Sequence, residues 1–182
     1  MIGICRKEIV RCQRVIKLTK TEEYLMEAFA GESQANRKYI AFAAQADKEG
    51  LAQAARLFRA AAEAEAVHAA NHLRALKAIK STKENLREAI AGETHEFKEM
   101  YPEMIATAKE EMAKEAERSF NYANAVEEYH AKLYHGVLEG LEEKKEIYPY
   151  FVCPVCGMTV EREAPEKCPV CGVKGSMFKK IE

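Results

Sequence analysis

The chain contains 182 residues, of which 48% are hydrophobic and 31% are charged, and its net charge is −1. A chain of this length accommodates one domain of ordinary size with a small appendage. The near-neutral charge argues against nucleic acid or an anionic membrane as the main partner. No apolar run reaches the roughly 20 residues that span a bilayer, and the basic N-terminus lacks a hydrophobic signal core. We therefore expect a helix-rich cytoplasmic protein.

The composition changes twice along the chain. We predict an extension over residues 1–18, a helical bundle over 19–147 and a small metal domain over 148–182. The first segment contains Cys5 and Cys12 and has no counterpart elsewhere in the sequence. A loosely packed extension is the favoured interpretation, and a redox or metal-binding role for the two cysteines is the alternative.

The first half of the bundle segment predicts two helices. Thr19 or Thr21 is expected to cap helix one, because a hydroxyl at that position accepts a backbone N–H of the first turn. Helix one then runs to about Lys48, and Gly50 ends it. Helix two is predicted over 51–78, where many alanines permit a neighbouring helix to approach closely.

The second half of the segment predicts two further helices. Ser81 or Thr82 should cap helix three. Pro102 lies within that helix and should kink or interrupt it, because proline has no backbone N–H to donate. Helix four is predicted to begin within 112–118 and to run to about Lys145.

A Glu-x-x-His pattern occurs once in each half of the segment, and its glutamate and histidine face the same side of a helix. Two other glutamates, each in an Ala-x-Ala-Gly-Glu stretch, are separated by nearly the same length of chain as the two patterns. We interpret this as a duplicated helical hairpin. Four carboxylates and two imidazoles from four facing helices can hold two metal ions, and such ligands suit iron or manganese. The candidate ligands are Glu32, Glu65, His68, Glu93, Glu127 and His130.

Three further residues are candidates for the same site. Glu96 has no equivalent in the first hairpin and is either part of a surface salt bridge or a surplus metal ligand. A surplus carboxylate would let the coordination change when the charge of the metal changes. Tyr39 and Tyr101 each follow the first glutamate of a hairpin by about two turns. Each either packs in the core or donates a hydrogen bond to a ligand or to bound oxygen species.

The C-terminal segment begins with a predicted strand, 148–152, and contains two Cys-x-x-Cys-Gly motifs. In each motif the glycine tolerates a positive φ, so that backbone N–H groups can point at the thiolates. Two such motifs predict one tetrahedral four-sulfur metal site, which either iron or zinc can occupy. Its ligands are Cys153, Cys156, Cys168 and Cys171.

Together these motifs resemble those of the rubrerythrin family, over about residues 19–182. The resemblance implies an all-α, ferritin-like four-helix bundle with a non-haem di-iron site, fused to a rubredoxin-like domain that holds one iron on the four cysteines. All seven expected di-iron ligands are present. The residues that carry the resemblance are Phe29–Ala35, Glu65–His68, Gly92–Glu96, Glu99–Pro102, Glu127–His130 and the two cysteine motifs.

The resemblance also implies an enzyme, a peroxidase of oxidative-stress defence that reduces hydrogen peroxide to water. The four-cysteine iron would relay electrons from an external rubredoxin or NAD(P)H-dependent reductase, because the chain has no nicotinamide or flavin motif. His68 and Glu96 would exchange as ligands between oxidation states. The remaining implied roles are terminal ligation by Glu32, Glu93, Glu96 and His130 and bridging by Glu65 and Glu127.

Two other functions stay open at this stage. The first is a ferroxidase that feeds an iron store, against which the surplus Glu96 and the electron-carrying domain both count. The second is a structural or sensing protein with zinc at the cysteine site, because the eleven residues between Cys156 and Cys168 also suit a zinc ribbon.

The connection between helices two and three predicts how chains assemble. A ferritin-like bundle requires these helices to be parallel, but only about five residues join them, which span at most roughly 17 Å. Helix two alone is about 40 Å long. We therefore predict a homodimer, or a larger assembly, in which helices one and two of one chain complete the site with helices three and four of its partner. A simple up-down bundle is the alternative.

Overall fold

The computed structural model describes residues 18–143 and 146–182, which form two compact units divided after Ile79. Of the extension predicted for residues 1–18, the first 17 residues, with Cys5 and Cys12, lie outside the described residues, which begin at Leu18. We call residues 18–79 unit one and the described residues from Lys80 onward unit two. No helix of the described chain is both long and apolar enough to cross a membrane.

Unit one is a hairpin of two helices, α1 (Lys20–Lys48) and α2 (Ala52–Ala75). Thr19 caps α1 in a capping box with Glu22, which confirms one of the two predicted caps. Gly50 adopts a φ of 75°, so the chain leaves α1 through a left-handed residue and turns directly into α2. The two helices pack on small side chains, and the fully buried ones are Ala43, Ala46, Ala55, Ala62 and Ala69.

Helix α2 ends three residues before the predicted position. Lys77 has a φ of 54°, and the N–H groups of Lys77 and Ala78 donate to the carbonyls of Arg74 and Leu73. This is the arrangement that usually carries glycine at its left-handed residue. Because a lysine fills the position, the sequence contains no glycine to mark the end of the helix.

Unit two begins with a helical stretch in three parts. These are α3 (Thr82–His95), a π-helical turn (Glu96–Met100) and α4 (Tyr101–Glu110). Ser81 caps α3 in a second capping box, which settles the choice between Ser81 and Thr82. The interruption expected at Pro102 is confirmed: the N–H of Tyr101 reaches the carbonyl of Glu96, five residues back. Pro102 itself lies in the first turn of α4, a position at which the missing N–H of proline is tolerated.

The last helix, α5 (Lys114–Glu139), begins within the predicted range but ends before the predicted Lys145. Gly140 takes the C-cap position, and glycine is among the poorest residues for continuing a helix. Together, α3, the π-helical turn, α4 and α5 form the second helical hairpin. This second hairpin repeats the first. The number of residues from the start of α1 to the start of α3 equals the number from the start of α2 to the start of α5.

The C-terminal part of unit two is a three-stranded antiparallel sheet of order β2-β1-β3. Its strands are β1 (Tyr150–Val152), β2 (Thr159–Glu161) and β3 (Lys179–Ile181). β1 begins two residues later than predicted, directly after Pro149. Val126 of α5 is buried in one apolar cluster with Cys153, Met158, Cys168 and Phe178, so this helix and the C-terminal segment share a core. The division at residues 147 and 148 therefore stays a prediction.

Candidate metal centres

Unit one brings together three of the predicted ligands, Glu32 of α1 and Glu65 and His68 of α2. Their ligand atoms lie within 4.8 Å of one another, and we call this group half-site one. His68 Nδ1 is 2.9 Å from Glu65 Oε2. The register of the hairpin is held by the Asn36 amide, which donates to the carbonyl of Ala62 at 2.6 Å. The three residues that the sequence spacing singled out in unit one thus form one carboxylate–imidazole cluster.

Unit two brings together the three matching residues, Glu93 of α3 and Glu127 and His130 of α5. Their ligand atoms also lie within 4.8 Å of one another, and this group is half-site two. His130 Nδ1 is 2.8 Å from Glu127 Oε2 and 3.7 Å from Glu93 Oε1. Each hairpin therefore supplies two carboxylates and one imidazole.

The pKa values of Glu93 and His130 in half-site two are both raised. Burial, followed by the charge of Glu127, raises the pKa of Glu93 to about 7. The hydrogen bond to Glu127 is the main reason that the pKa of His130 is also raised, and burial opposes it. Carboxylates crowded in this way favour a bound cation, because a cation removes their mutual repulsion.

Glu96 lies outside this three-residue group but close enough to respond to it. Burial first, and then the charge of Glu127, raises the pKa of Glu96. A salt bridge would lower the pKa of a carboxyl group, so the raised pKa argues against the surface salt bridge, and metal ligation by Glu96 stays a prediction. Glu96 is the first residue of the π-helical turn, and such turns are frequent at functional sites.

The π-helical turn also explains a detail of the repeat. The stretch of chain from Glu32 to Glu93 is one residue shorter than the stretch from Glu65 to Glu127. Helices α1 and α4 end the two corresponding helical stretches. The stretch of chain between their last residues, Lys48 and Glu110, is as long as the one between Glu65 and Glu127. One extra residue after Glu93 is therefore taken up within the helix, as a π-helical turn allows. This change in spacing was visible in the sequence and could have located the turn.

The two candidate tyrosines have different surroundings. Tyr39 belongs to an aromatic cluster in unit one, with its ring centroid 6.2 Å from those of both Phe42 and Phe58. The Tyr101 ring is 6.3 Å from that of Phe120, and its pKa is raised by burial and then by the charge of Glu96. The geometry thus favours core packing for Tyr39 and a place beside the acids for Tyr101.

One residue near half-site two was not predicted. Burial, and then the charges of Glu93 and Glu127, raise the pKa of Tyr134. It lies four residues after His130, hence on the same face of α5. That spacing was the available signal, but the first hairpin has a histidine at the matching position, so the repeat did not reveal it.

The four cysteines converge as predicted, with their sulfur atoms within 4.8 Å of one another. Gly157 and Gly172, which follow the two motifs, have φ values of 84° and 77°. Burial opposes ionisation of Cys168, but the N–H groups of Cys171 and Val170 donate to its sulfur, and its pKa is lowered to about 7. Tetrahedral coordination by four thiolates fits this cluster.

A hydrogen bond joins the cysteine region to half-site two. His130 Nε2 lies 3.0 Å from the Thr159 hydroxyl oxygen, and that hydroxyl donates to the carbonyl of Gly157 at 3.1 Å. Gly157 directly follows Cys156 in the chain. The imidazole of one candidate metal site is thus linked to the backbone beside the other.

Helical hairpins that carry duplicated glutamate and Glu-x-x-His ligands, together with a four-sulfur site on a small sheet, define a ferritin-like di-iron protein with a rubredoxin-like domain. The family model for rubrerythrin matches residues 23–138, and the model for the rubrerythrin rubredoxin-like domain matches residues 151–179. The chain belongs to the rubrerythrin family. The donor sets described above fit the cofactors of that family, a di-iron carboxylate centre and a four-cysteine metal site.

Individual relatives agree with this assignment along nearly the whole chain. Rubrerythrin-2 of Clostridium acetobutylicum is 38% identical over an alignment of 179 positions, and the alignment covers 90% of this chain and 97% of that protein. Rubrerythrin of Porphyromonas gingivalis is 35% identical, with 97% of each chain covered. Among solved structures, nigerythrin in a mixed-valence state matches with a TM-score of 0.55 and 31% identity, covering 93% of this chain and 90% of that one.

Proposed function

We propose that this oxidoreductase of the rubrerythrin family is a peroxidase, which reduces hydrogen peroxide to water with electrons received through the four-cysteine site. The observation that supports the proposal most strongly is the combination of two matched carboxylate–imidazole half-sites with a four-sulfur site in one chain. Each peroxide takes up two electrons and two protons and leaves as two water molecules. A diferrous centre, when bound, would supply both electrons to one peroxide.

The side chains have distinct roles in this proposal. Glu65 and Glu127 would hold the two metal ions as bridging ligands, and each lies within 2.9 Å of the histidine three residues later. Glu96 and His68 would alternate as ligands of one metal ion, and the position of Glu96 at the start of the widened turn supports this role. Tyr101, which lies beside the acids, would donate a hydrogen bond toward the oxidant, whereas Tyr39 packs in the aromatic cluster of unit one. The terminal ligands are Glu32, Glu93, Glu96 and His130, and the electron-relay ligands are Cys153, Cys156, Cys168 and Cys171.

We also propose that a complete di-iron site combines half-site one of one chain with half-site two of its partner. Six residues, 76–81, join α2 to α3 and span at most about 20 Å. Helix α2 has 24 residues and is about 36 Å long. Parallel α2 and α3 in one bundle need a connection of about that length. Unit one also leaves large apolar side chains exposed for a partner to cover, among them Ile40, Phe42, Leu57 and Val67.

The compartment and the electron donor follow from the same chemistry. Free thiolates held for a metal persist in a reducing compartment, so we place the protein in the cytoplasm. The electrons come from a separate rubredoxin or NAD(P)H-dependent reductase.

The peroxidase proposal is tested by reducing the iron-loaded protein without oxygen and adding peroxide in steps while the visible spectrum is recorded. We expect the di-iron and iron–thiolate bands both to return promptly, with about one peroxide consumed per electron pair. Slow reoxidation by oxygen alone, with mineral formation under excess ferrous iron, would instead indicate iron storage. A protein without iron–thiolate colour would point to zinc at the cysteines.

The assembly proposal is tested by complementation. One variant carries Glu65→Ala and the other Glu127→Ala, so that neither homodimer has an intact site. If the hairpins are exchanged, a mixed dimer combines the intact half-site one of the second variant with the intact half-site two of the first. Co-expression should then restore di-iron binding at one site of each mixed dimer. No recovery in a purified mixed dimer would show that all ligands come from one chain.

A further inference from the structure

The two imidazoles of the candidate di-iron site differ in the hydrogen-bond partner of Nε2, the ring nitrogen that does not face the glutamate. Among the described residues, His68 contacts a carboxylate through Nδ1 and is 53% exposed. His130 is only 27% exposed, and its Nε2 lies 3.0 Å from the Thr159 hydroxyl. Thr159 is the first residue of β2, so this contact crosses from the helical hairpin to the C-terminal sheet.

The direction of the hydrogen bonds follows from the donors available. A hydroxyl has one proton, and the Thr159 hydroxyl donates it to the carbonyl of Gly157 at 3.1 Å. Only its lone pairs then face the imidazole, so His130 Nε2 carries a proton and donates it. When a metal ion is bound, Nδ1 is left as the ligand atom, on the side of Glu127 and Glu93. An acceptor on the second nitrogen is the usual device that fixes a ligating histidine in one tautomer and one orientation.

The same contact continues to the four-sulfur site. The carbonyl that accepts from Thr159 belongs to Gly157, which is bonded to Cys156. From the Cys156 sulfur, a continuous path therefore runs through a short backbone segment and two hydrogen bonds to the ring of His130. Each hydrogen bond in this path is about 3 Å long in heavy-atom distance.

Packing around the contact holds it in place. Val126, one turn before His130 on α5, is 2% exposed and lies within the core of the cysteine segment. A Cβ atom placed on Gly157 would be 3.9 Å from the Val126 side chain, so the backbone of the cysteine motif lies directly against the helix. A cavity of about 300 Å³ with mainly apolar walls adjoins the hydrogen bond, and Leu86, Leu133 and Val137 contribute to it.

From these contacts we propose that Thr159 is a positioning residue, which fixes His130 with Nδ1 as the metal ligand. It thereby couples the four-cysteine iron to half-site two, and so to the di-iron centre that half-site two helps to form. In each transfer, one electron leaves a ferrous ion at the four cysteines and reduces a ferric ion at His130. The external donor replaces that electron, and no proton moves along the path. This inference rests on the relay in the proposed function but not on peroxide as the oxidant.

The test compares Thr159→Val, which keeps the shape of the side chain and removes the hydroxyl, with Thr159→Ser, which keeps the hydroxyl. The adjoining cavity makes alanine a poor choice, because a water molecule could replace the missing hydroxyl. Thr107→Val is the control, since it removes a threonine hydroxyl that bonds within α4, away from both sites.

The first readout uses fully oxidised, iron-loaded protein without oxygen or peroxide. A light-driven flavin reductant reduces the four-cysteine iron in a pulse, and the return of its ferric–thiolate absorption reports transfer to the di-iron site. We expect Thr159→Val to slow this return by about 10-fold or more, the scale on which loss of such an outer partner acts. Thr159→Ser and Thr107→Val should transfer at the unchanged rate, and the iron–thiolate spectrum should be the same in all variants.

The second readout uses the unsubstituted protein loaded with diamagnetic zinc, so that it does not depend on how a variant folds. Nitrogen-15 NMR of labelled histidine should place the proton of His130 on Nε2 and show that it exchanges slowly with water. A proton on Nδ1 would overturn the proposal. So would an unchanged transfer rate in Thr159→Val, or a rate in Thr159→Ser as slow as in the valine variant. Failure of peroxide reduction alone would count against the proposed function and leave this inference intact.

Discussion

The two half-sites have the same ligand types at the same spacing but different surroundings. In half-site one, His68 is half-exposed and its hairpin is packed mainly on alanines. In half-site two, His130 is partly buried and hydrogen-bonded to Thr159. Its helix, α5, shares an apolar core with the cysteine segment. Duplication thus produced equal ligand types, whereas, among the described residues, the C-terminal segment contacts only the second histidine. An imidazole held only through its Nδ1 suits a ligand that exchanges, and one held through both nitrogens suits a ligand in an electron-transfer path.

The largest expected effect comes from removing the four-sulfur site. Cys168 is 3% exposed within the core that also contains Val126 of α5. Cys168→Ser should lower the free energy of unfolding of unit two by several kcal/mol, because a structural metal contributes about 10 kcal/mol or more in small domains. Amide exchange should accelerate in α5 more than in α1. Unchanged protection of α5 would show that its half-site does not depend on the cysteine segment.

The next effect compares the two histidines directly. His130→Ala should lower the rate of peroxide reduction on the order of 100-fold. Loss of a residue that only hydrogen-bonds to a metal ligand can already reduce activity by that much. His68→Ala should cost about 10-fold or less, because Glu96 can replace the lost ligand in the oxidised state. Steady-state peroxide consumption at equal iron content measures both. Equal losses would remove the functional distinction between the half-sites.

A difference in stability should distinguish α5, which carries His130, from α2, which carries His68. Val126 and Ala64 occupy matching positions of the repeat, each directly before the glutamate of its Glu-x-x-His pattern, but only Val126 is buried. Val126→Ala should cost about 2 kcal/mol in urea unfolding, since it empties part of the shared core. Ala64→Ser, on an exposed helix surface, should change the value by about 0.5 kcal/mol or less. A neutral Val126→Ala would contradict the shared core.

The smallest effect is a pH dependence that belongs to half-site two. The pKa of Glu93 is about 7 instead of 4.5, so the folded, metal-free protein binds this proton more tightly than the unfolded chain does. Its stabilising contribution is complete below about pH 4.5 and is lost as the pH rises through 7. Because the group is only partly buried, we expect a loss of about 1 kcal/mol.

Urea unfolding of the metal-free protein between pH 4.5 and 7.5 measures this slope, and Glu93→Gln should abolish it. Cobalt affinity should rise over the same interval, because the metal competes with the proton. A slope that is retained in Glu93→Gln would assign the effect to another group.

Much of the fold and of the candidate sites could be predicted from the sequence, because it depends on contacts between residues close together in the chain. The cysteine motifs needed only their spacing and a following glycine, because a four-residue turn places its own ligands. Thr19 and Ser81 identified helix starts through contacts with residues three positions away. Glu65–His68 and Glu127–His130 paired correctly, since residues three apart in a helix are neighbours whatever the fold.

The remaining features either had weak local signals or depended on contacts between distant segments. The end of α2 depends on a left-handed lysine that no turn residue announces, and the π-helical turn appears in the sequence only as a one-residue change of spacing. The hydrogen bond from His130 to Thr159 joins residues 29 positions apart. Sequence periodicity defines which residues share a helix face, but only packing between the helix and the sheet determines which of two equivalent histidines becomes anchored.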